Sequence, residues 1–111
     1  MMESKNFIRN IEFTTSSADY ELLQDTNVKT AIKERLGFTT DEEYNKYIEG
    51  NHLNMYFELF FGGKQSVSVN GSYYYPTMEG DLYYSGNFIN PLQSIKIKNN
   101  GVSGMICFKI A

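Results

Sequence analysis

The sequence predicts an α+β fold in which an N-terminal strand and two short helices pack on an antiparallel β-sheet, or on a Greek-key sandwich, formed by the C-terminal half. The spacing of apolar residues changes at Gly50 from helical to alternating, which supports this division. Nine tyrosines and eight phenylalanines also favour strands, because aromatic rings pack well on pleated surfaces. A chain of 111 residues has the length of one domain, with the strand and helices in residues 1–50 and the antiparallel region in residues 51–111.

The first element predicted is a strand over residues 6–14, in which apolar residues take alternate positions. Ser16 or Ser17 is expected to cap a short helical segment that continues through Leu22 and Leu23. The alternating apolar residues of the strand are Phe7, Ile11 and Phe13.

Two helices follow. Apolar residues at helical spacing predict the first over residues 28–36, with residues 25–27 available to start it and Gly37 to end it. The second begins at the capping-box sequence of residues 40–43 and stops at Gly50. Capping and the helix dipole account for the acidic cluster Asp41, Glu42 and Glu43, so we expect neither a metal site nor catalysis there.

Residues after Gly50 are predicted to be all β. A strand over residues 53–61 ends at Gly62-Gly63, and Asn70-Gly71 has the composition of a primed hairpin turn. Pro76 is expected to stop the returning arm, because proline cannot donate to a sheet ladder. Tyr83, Tyr84 and Phe88 fall in a short strand or an ordered excursion, and residues 95–97 and 106–110 are predicted to form a closing hairpin around residues 99–101.

Charge and composition exclude several classes of function. A net charge of -3 with scattered basic residues makes nucleic acid an unfavourable partner, and no apolar stretch is long enough to cross a bilayer. We therefore expect a cytoplasmic protein without a membrane partner. Cys107, the one cysteine, is expected to be a buried inert thiol, and His52, the one histidine, to lie at the surface. No cofactor, metal site or catalytic residue is predicted, so an enzyme is not expected.

An aromatic residue, four intervening residues, a second aromatic residue, one residue and a glycine occur in order at Tyr56, Phe61 and Gly63. With Ser94 farther on, this spacing resembles the Greek-key motif of the βγ-crystallins over about residues 53–98. The resemblance implies a hairpin folded over the sandwich, with Gly63 at a positive φ and the Ser94 hydroxyl bonded to the hairpin. It implies a scaffold with at most weak calcium binding, because residues 89–94 lack part of the family's set of oxygen ligands.

Two tyrosine clusters are candidates for partner binding, because alternation along a strand turns some of their rings outward. Packing alone would equally explain clusters of this kind. The sequence therefore predicts a non-catalytic protein-binding module, such as a small acidic inhibitor, immunity protein or phage-encoded antagonist. The alternative is a crystallin-like structural or stress protein. The candidate tyrosines are Tyr73, Tyr74, Tyr75, Tyr83 and Tyr84.

Overall fold

The computed structural model describes residues 7–77, 82–84 and 87–111. These residues form two α-helices, a short 3-10 turn and eight strands. In chain order, the elements are β1 (Phe7–Thr14), β2 (Tyr20–Glu21), the 3-10 turn (Leu22–Gln24), α1 (Thr26–Leu36), α2 (Asp41–Glu49), β3 (Met55–Phe61), β4 (Ser66–Val69), β5 (Tyr75–Pro76), β6 (Leu82–Tyr84), β7 (Ile95–Ile97) and β8 (Ser103–Ile110).

The strands form two antiparallel sheets, which confirms the predicted α+β fold. Sheet A has the order β1-β8-β3-β6, and sheet B has the order β2-β7-β4-β5. Each sheet takes one strand from the N-terminal half of the chain and three from the C-terminal half. The predicted N-terminal strand, β1, is therefore a member of sheet A, paired with β8 along most of its length.

Both sheets and both helices contribute side chains to one hydrophobic core. Strand β3 shows the underlying pattern most clearly, because its residues are alternately buried and half-buried along the whole strand. Fully buried side chains of this kind remove apolar surface from water, which is the main favourable term in folding. The largest of them are Tyr44, Phe57, Phe108, Leu22, Leu23, Ile32, Leu53, Met55, Leu59, Leu92, Ile95 and Ile97.

The helix boundaries agree closely with the sequence signals. The Asp25 carboxylate accepts hydrogen bonds from the backbone of Asn27 and Val28 at the start of α1, and Gly37 ends that helix with a φ of 81°. Thr40 and Glu43 form the predicted capping box of α2. Such caps depend on residues three or four positions apart, so the local sequence is sufficient to predict them.

Two predictions about neighbouring elements are wrong. Residues 16–23 do not form a capped helical segment: they contain β2 and the start of the 3-10 turn, whose cap is Glu21. Residues 95–97 and 106–110 do not form a closing hairpin, because β7 pairs with β2 and β4 while β8 pairs with β1 and β3. The connection between β7 and β8 instead binds Thr15, whose hydroxyl donates to the Asn99 carbonyl and accepts from the Val102 amide, both at 2.8 Å.

Cys107 is buried, as predicted, with 5% of its surface exposed. It points to the face of sheet A opposite the core, where a bulge in β1 between Ile8 and Ile11 covers it. At the bulge, Asn10 has a φ of 58°, and its backbone N–H donates to the Cys107 Sγ at 3.3 Å. The burial of this thiol therefore depends on an irregular edge strand rather than on the core.

Candidate functional site

The strongest candidate for a binding surface is the outer edge of sheet B, formed by residues 73–76 and called here the tyrosine edge. Tyr73 is 86% exposed and Tyr75 is 56% exposed, although both are large aromatic residues. Tyr75 lies opposite Val67 of β4, and none of the strands that the structure describes pairs with the other side of β5. Rings at this position project beyond the sheet, where they are accessible to a partner.

A type I′ turn precedes the tyrosine edge and confirms the hairpin predicted at Asn70-Gly71. The two central residues have φ values of 52° and 76°, and the Ser72 amide donates to the Val69 carbonyl at 3.1 Å. The turn chemistry follows from the sequence, because asparagine and glycine adopt positive φ most readily. This fixes where the chain reverses before Tyr73.

The Asn70 side chain holds the turn against residues 91–94. Its Oδ1 accepts hydrogen bonds from the amides of Gln93 and Ser94 at 2.7 and 3.1 Å, and its Nδ2 donates to the Pro91 carbonyl at 2.8 Å. Within the hairpin, the Ser68 hydroxyl donates to the Ser72 carbonyl at 2.6 Å. The tip of the hairpin is thus fixed by bonds to residues 91–94 and by a bond between its own two arms.

Tyr74 differs from its two neighbours because it lies against the protein. Its hydroxyl donates to Asp19 Oδ1 at 2.6 Å, and the Lys98 ammonium lies 5.9 Å from the centre of its ring. Burial, the hydrogen bond to Asp19, and the negative charges of Asp19 and Glu21 raise the pKa of Tyr74 to about 12. Tyr74 therefore anchors the segment from which Tyr73 and Tyr75 project.

The second predicted tyrosine cluster belongs to the other sheet. Tyr83 and Tyr84 lie in β6, which pairs with β3 in sheet A, and their side chains fall outside the part of the structure described. Phe88 is another exposed aromatic residue, next to Ile89, which forms an isolated bridge with Met55 of β3. It is 42% exposed, and its ring centre lies 6.2 Å from that of Tyr56. The five candidate tyrosines are therefore distributed over two sheets.

The two aromatic residues of the crystallin-like spacing, Tyr56 and Phe61, both lie in β3. Phe61 is buried and packs edge-on against Phe13, with ring centres 6.1 Å apart. Tyr56 is half-buried on the outer face of sheet A, where its hydroxyl donates to Glu58 Oε2 at 2.7 Å. These two aromatic rings therefore lie on opposite faces of β3, since their positions in the strand differ by an odd number.

Two details of the implied hairpin are wrong. Gly63 does not have a positive φ, and a side chain at this position would enter open space. Ser94 does not bond to a folded hairpin through its hydroxyl, which donates to Glu21 Oε1 at 2.6 Å. Gly104 is a glycine that packing requires, because a Cβ atom there would lie 2.8 Å from the Phe60 carbonyl oxygen and 2.9 Å from Phe13 Cζ.

Glu21 is an important residue that the sequence did not reveal. Its carboxylate accepts hydrogen bonds from the Ser94 hydroxyl at 2.6 Å, the Ile95 amide at 2.9 Å and the Leu23 amide at 3.3 Å. It thereby joins the 3-10 turn to the start of β7. No local signal identifies such a contact, since Glu21 and Ser94 are 73 positions apart.

Two open grooves lie outside the tyrosine edge. One, of about 480 Å³, is at the end of sheet A around Phe13, Phe60 and Gly104. The other, of about 450 Å³, lies between β1 and α1 and includes Glu12 and Glu34.

Among the described residues, no group of three or more histidine, cysteine or acidic side chains is placed to hold a metal ion. His52 is exposed, as predicted, beside the Tyr47 ring.

No family model matches the chain, and no curated protein or solved structure matches it significantly. Within the ranges 7–77, 82–84 and 87–111, no helix is long and apolar enough to cross a membrane.

Proposed function

We propose that this chain is a non-catalytic protein-binding module, of the kind represented by small acidic inhibitors, immunity proteins and phage-encoded antagonists. The supporting observation is the exposure of Tyr73 and Tyr75 on a hairpin that is fixed at its turn and at Tyr74. Tyrosine is enriched at protein interfaces and among the residues that contribute most to binding energy. The proposal involves no cofactor and no chemical step.

The fixed hairpin is as important to the proposal as the exposed rings. A surface that is already ordered loses little conformational entropy on binding, so more of the contact energy appears as affinity. Asn70 orders the turn, and Tyr74 orders the segment between the two exposed rings. A tyrosine has only two side-chain torsions to fix, which keeps the remaining entropy cost low.

The test compares the native protein with a Tyr73→Ser/Tyr75→Ser double variant. Each protein is immobilised and exposed to a lysate of its native cell, and the retained partner is then purified and titrated in solution. If the two rings are central contacts, the double variant should bind at least about 30-fold more weakly, since the loss of one such contact alone costs about 2 kcal/mol or more.

Phe88→Ser is the matched control, because it removes an exposed aromatic ring that contacts Tyr56 on the other sheet. Binding of the purified partner should be unchanged in this variant. Equal affinity of the double variant and the native protein would contradict the proposal, provided that both fold as judged by circular dichroism.

The crystallin-like structural role is the second candidate. It is supported by the arrangement of two four-stranded antiparallel sheets around one core. A role of this kind does not depend on the tyrosine edge, so the double variant would leave it intact. Calcium titration followed by thermal unfolding tests the weak calcium binding that belongs to this alternative, and an unchanged midpoint would count against it.

A further inference from the structure

The face of sheet B beside the tyrosine edge carries lysines. Lys96 lies opposite Ser68 on the side of the sheet away from the core, and Lys98 follows two residues later, over the Tyr74 ring. Lys64 is exposed in the connection that leads into β4. Every charged side chain of the described ranges 59–77 and 87–111 is a lysine, although the whole chain has a net charge of -3.

These lysines differ from those of the helices. Lys29 and Lys33 both pair with Asp41, at 3.0 and 2.7 Å, and Lys46 pairs with Glu42 at 3.4 Å. By contrast, the lysines in or beside sheet B form no ion pair with any residue that the structure describes. They are Lys64, Lys96 and Lys98. Their charges are therefore available to a partner.

Two carboxylates on the same face are engaged within the protein. The Asp19 carboxylate accepts a hydrogen bond from the Tyr74 hydroxyl. Glu21, the cross-strand neighbour of Lys96, directs its carboxylate to Ser94 and Ile95 instead. Among the described residues, neither carboxylate forms an ion pair with Lys96.

We propose that the partner presents an extended acidic segment to this face, with carboxylates at alternate positions that pair with Lys96 and Lys98. Residues two apart on an extended chain are about 7 Å apart and point the same way, so the two lysines match such a segment in spacing and direction. The inference rests on the proposed function. Tyr75 lies opposite the core residue Val67, so the same partner would contact Tyr73 and Tyr75 by reaching around the edge of the sheet. A protein suits the surface better than nucleic acid, because three lysines neutralise few phosphates and the acidic remainder of the chain repels them.

The test uses nuclear magnetic resonance of the isotopically labelled full chain. It is titrated at low ionic strength with a blocked peptide that alternates Glu and Ser, with a peptide that alternates Lys and Ser, and with oligothymidylate. The Glu peptide should shift the backbone amides of residues 66–68, 74, 75 and 95–98, and added salt should reverse the shifts because it screens exposed charges. The Lys peptide should leave these amides unchanged.

A Lys96→Glu/Lys98→Glu variant should bind the Glu peptide at least about tenfold more weakly. The control is Lys46→Glu, which reverses one exposed lysine of α2, 75% exposed at its side chain, and should keep the native affinity. The inference would be overturned if the Glu peptide shifted residues near all lysines or shifted none. It would also be overturned if the double lysine variant bound the Glu peptide as tightly as the native protein. Tighter binding of oligothymidylate than of the Glu peptide at these amides would also overturn it.

The captured partner separates this inference from the proposed function. Both proposals are supported if each of the two double variants, tested separately, loses the partner. If Tyr73→Ser/Tyr75→Ser abolishes binding while Lys96→Glu/Lys98→Glu leaves it intact, the acidic segment is wrong and the protein-binding function stands. If neither double variant weakens binding, both are wrong.

Discussion

The contact between Glu21 and Ser94 allows a quantitative test of the fold. A hydrogen bond to a charged group contributes about 1.5–3 kcal/mol, and both residues are half-buried, so we expect Ser94→Ala to cost about 1.5–2 kcal/mol. Glu21→Ala also leaves the Ile95 amide without its acceptor and removes the cap of the 3-10 turn. The expected cost of that variant is about 3–4 kcal/mol, a large part of the stability of a typical domain.

The two substitutions should not be additive, because each removes the same hydrogen bond. We expect the double variant to be about as unstable as Glu21→Ala alone, so the coupling energy should equal the cost of Ser94→Ala, about 1.5–2 kcal/mol. Urea denaturation followed by circular dichroism measures all four proteins, and Ser94→Ala should also lower Tm by about 6–12 °C.

Ser66→Ala is the control, since its hydroxyl makes no hydrogen bond with the described residues, and it should change stability by less than about 0.5 kcal/mol. If Ser94→Ala unfolds at the same urea concentration as Ser66→Ala, the contact contributes nothing. Additivity within about 0.3–0.5 kcal/mol would refute the pairing of these two side chains even if each single variant were destabilised.

Gly104→Ala should lower the free energy of unfolding by about 1–3 kcal/mol, because its Cβ would lie 2.8 Å from the Phe60 carbonyl oxygen. Gly62→Ala is the control, since its Cβ would enter open space and should leave stability nearly unchanged. Equal midpoints of the two variants in urea denaturation would contradict this packing. Cys107 should react slowly with a thiol reagent until denaturant is added, and rapid labelling of the native protein would show that the β1 bulge does not cover it. The pKa of Tyr74 is raised from 10.0 to about 12, so the stability that its neutral hydroxyl contributes is complete below pH 10 and is lost as pH rises through 12. Tyr74→Phe should remove this loss of stability from unfolding curves measured at alkaline pH. An unchanged dependence of stability on pH would count against the Asp19 contact.

Local signals in the sequence were sufficient for several elements. The capping box at Thr40 and the left-handed end of α1 at Gly37 were predicted correctly, as was the primed turn at Asn70-Gly71. In each case the stabilising groups lie within about four residues, so the backbone conformation depends on neighbouring side chains. Alternation also identified β3, because residues on one face of a strand share one environment. The burial of Cys107 was expected from its apolar neighbours, but it depends on the β1 bulge that covers the outer face of sheet A.

The candidate site was predictable only in part. The sequence identified Tyr73, Tyr74 and Tyr75 as a cluster in which some rings point outward. Tyr74 anchors the segment through its hydrogen bond to Asp19, which is 55 positions away, so no local pattern predicts this role. It also grouped them with Tyr83 and Tyr84, which belong to the other sheet. The spacing of tyrosines along the chain does not determine which sheet each one joins.

Long-range pairing was decided by the tertiary structure alone. Alternation predicted that residues 95–97 and 106–110 are strands, yet it did not predict their partners, because the same apolar pattern fits any sheet that offers a core face. The same limit explains why Gly63 was chosen from its motif, while Gly104 is the glycine in contact with Phe13 and Phe60. The sequence by itself determined the caps, turns and strand patterns, whose energies arise between near neighbours. The sheet to which each strand belongs, the Glu21 contacts and the exposure of Tyr73 and Tyr75 depend on packing between distant segments, which no local pattern specifies.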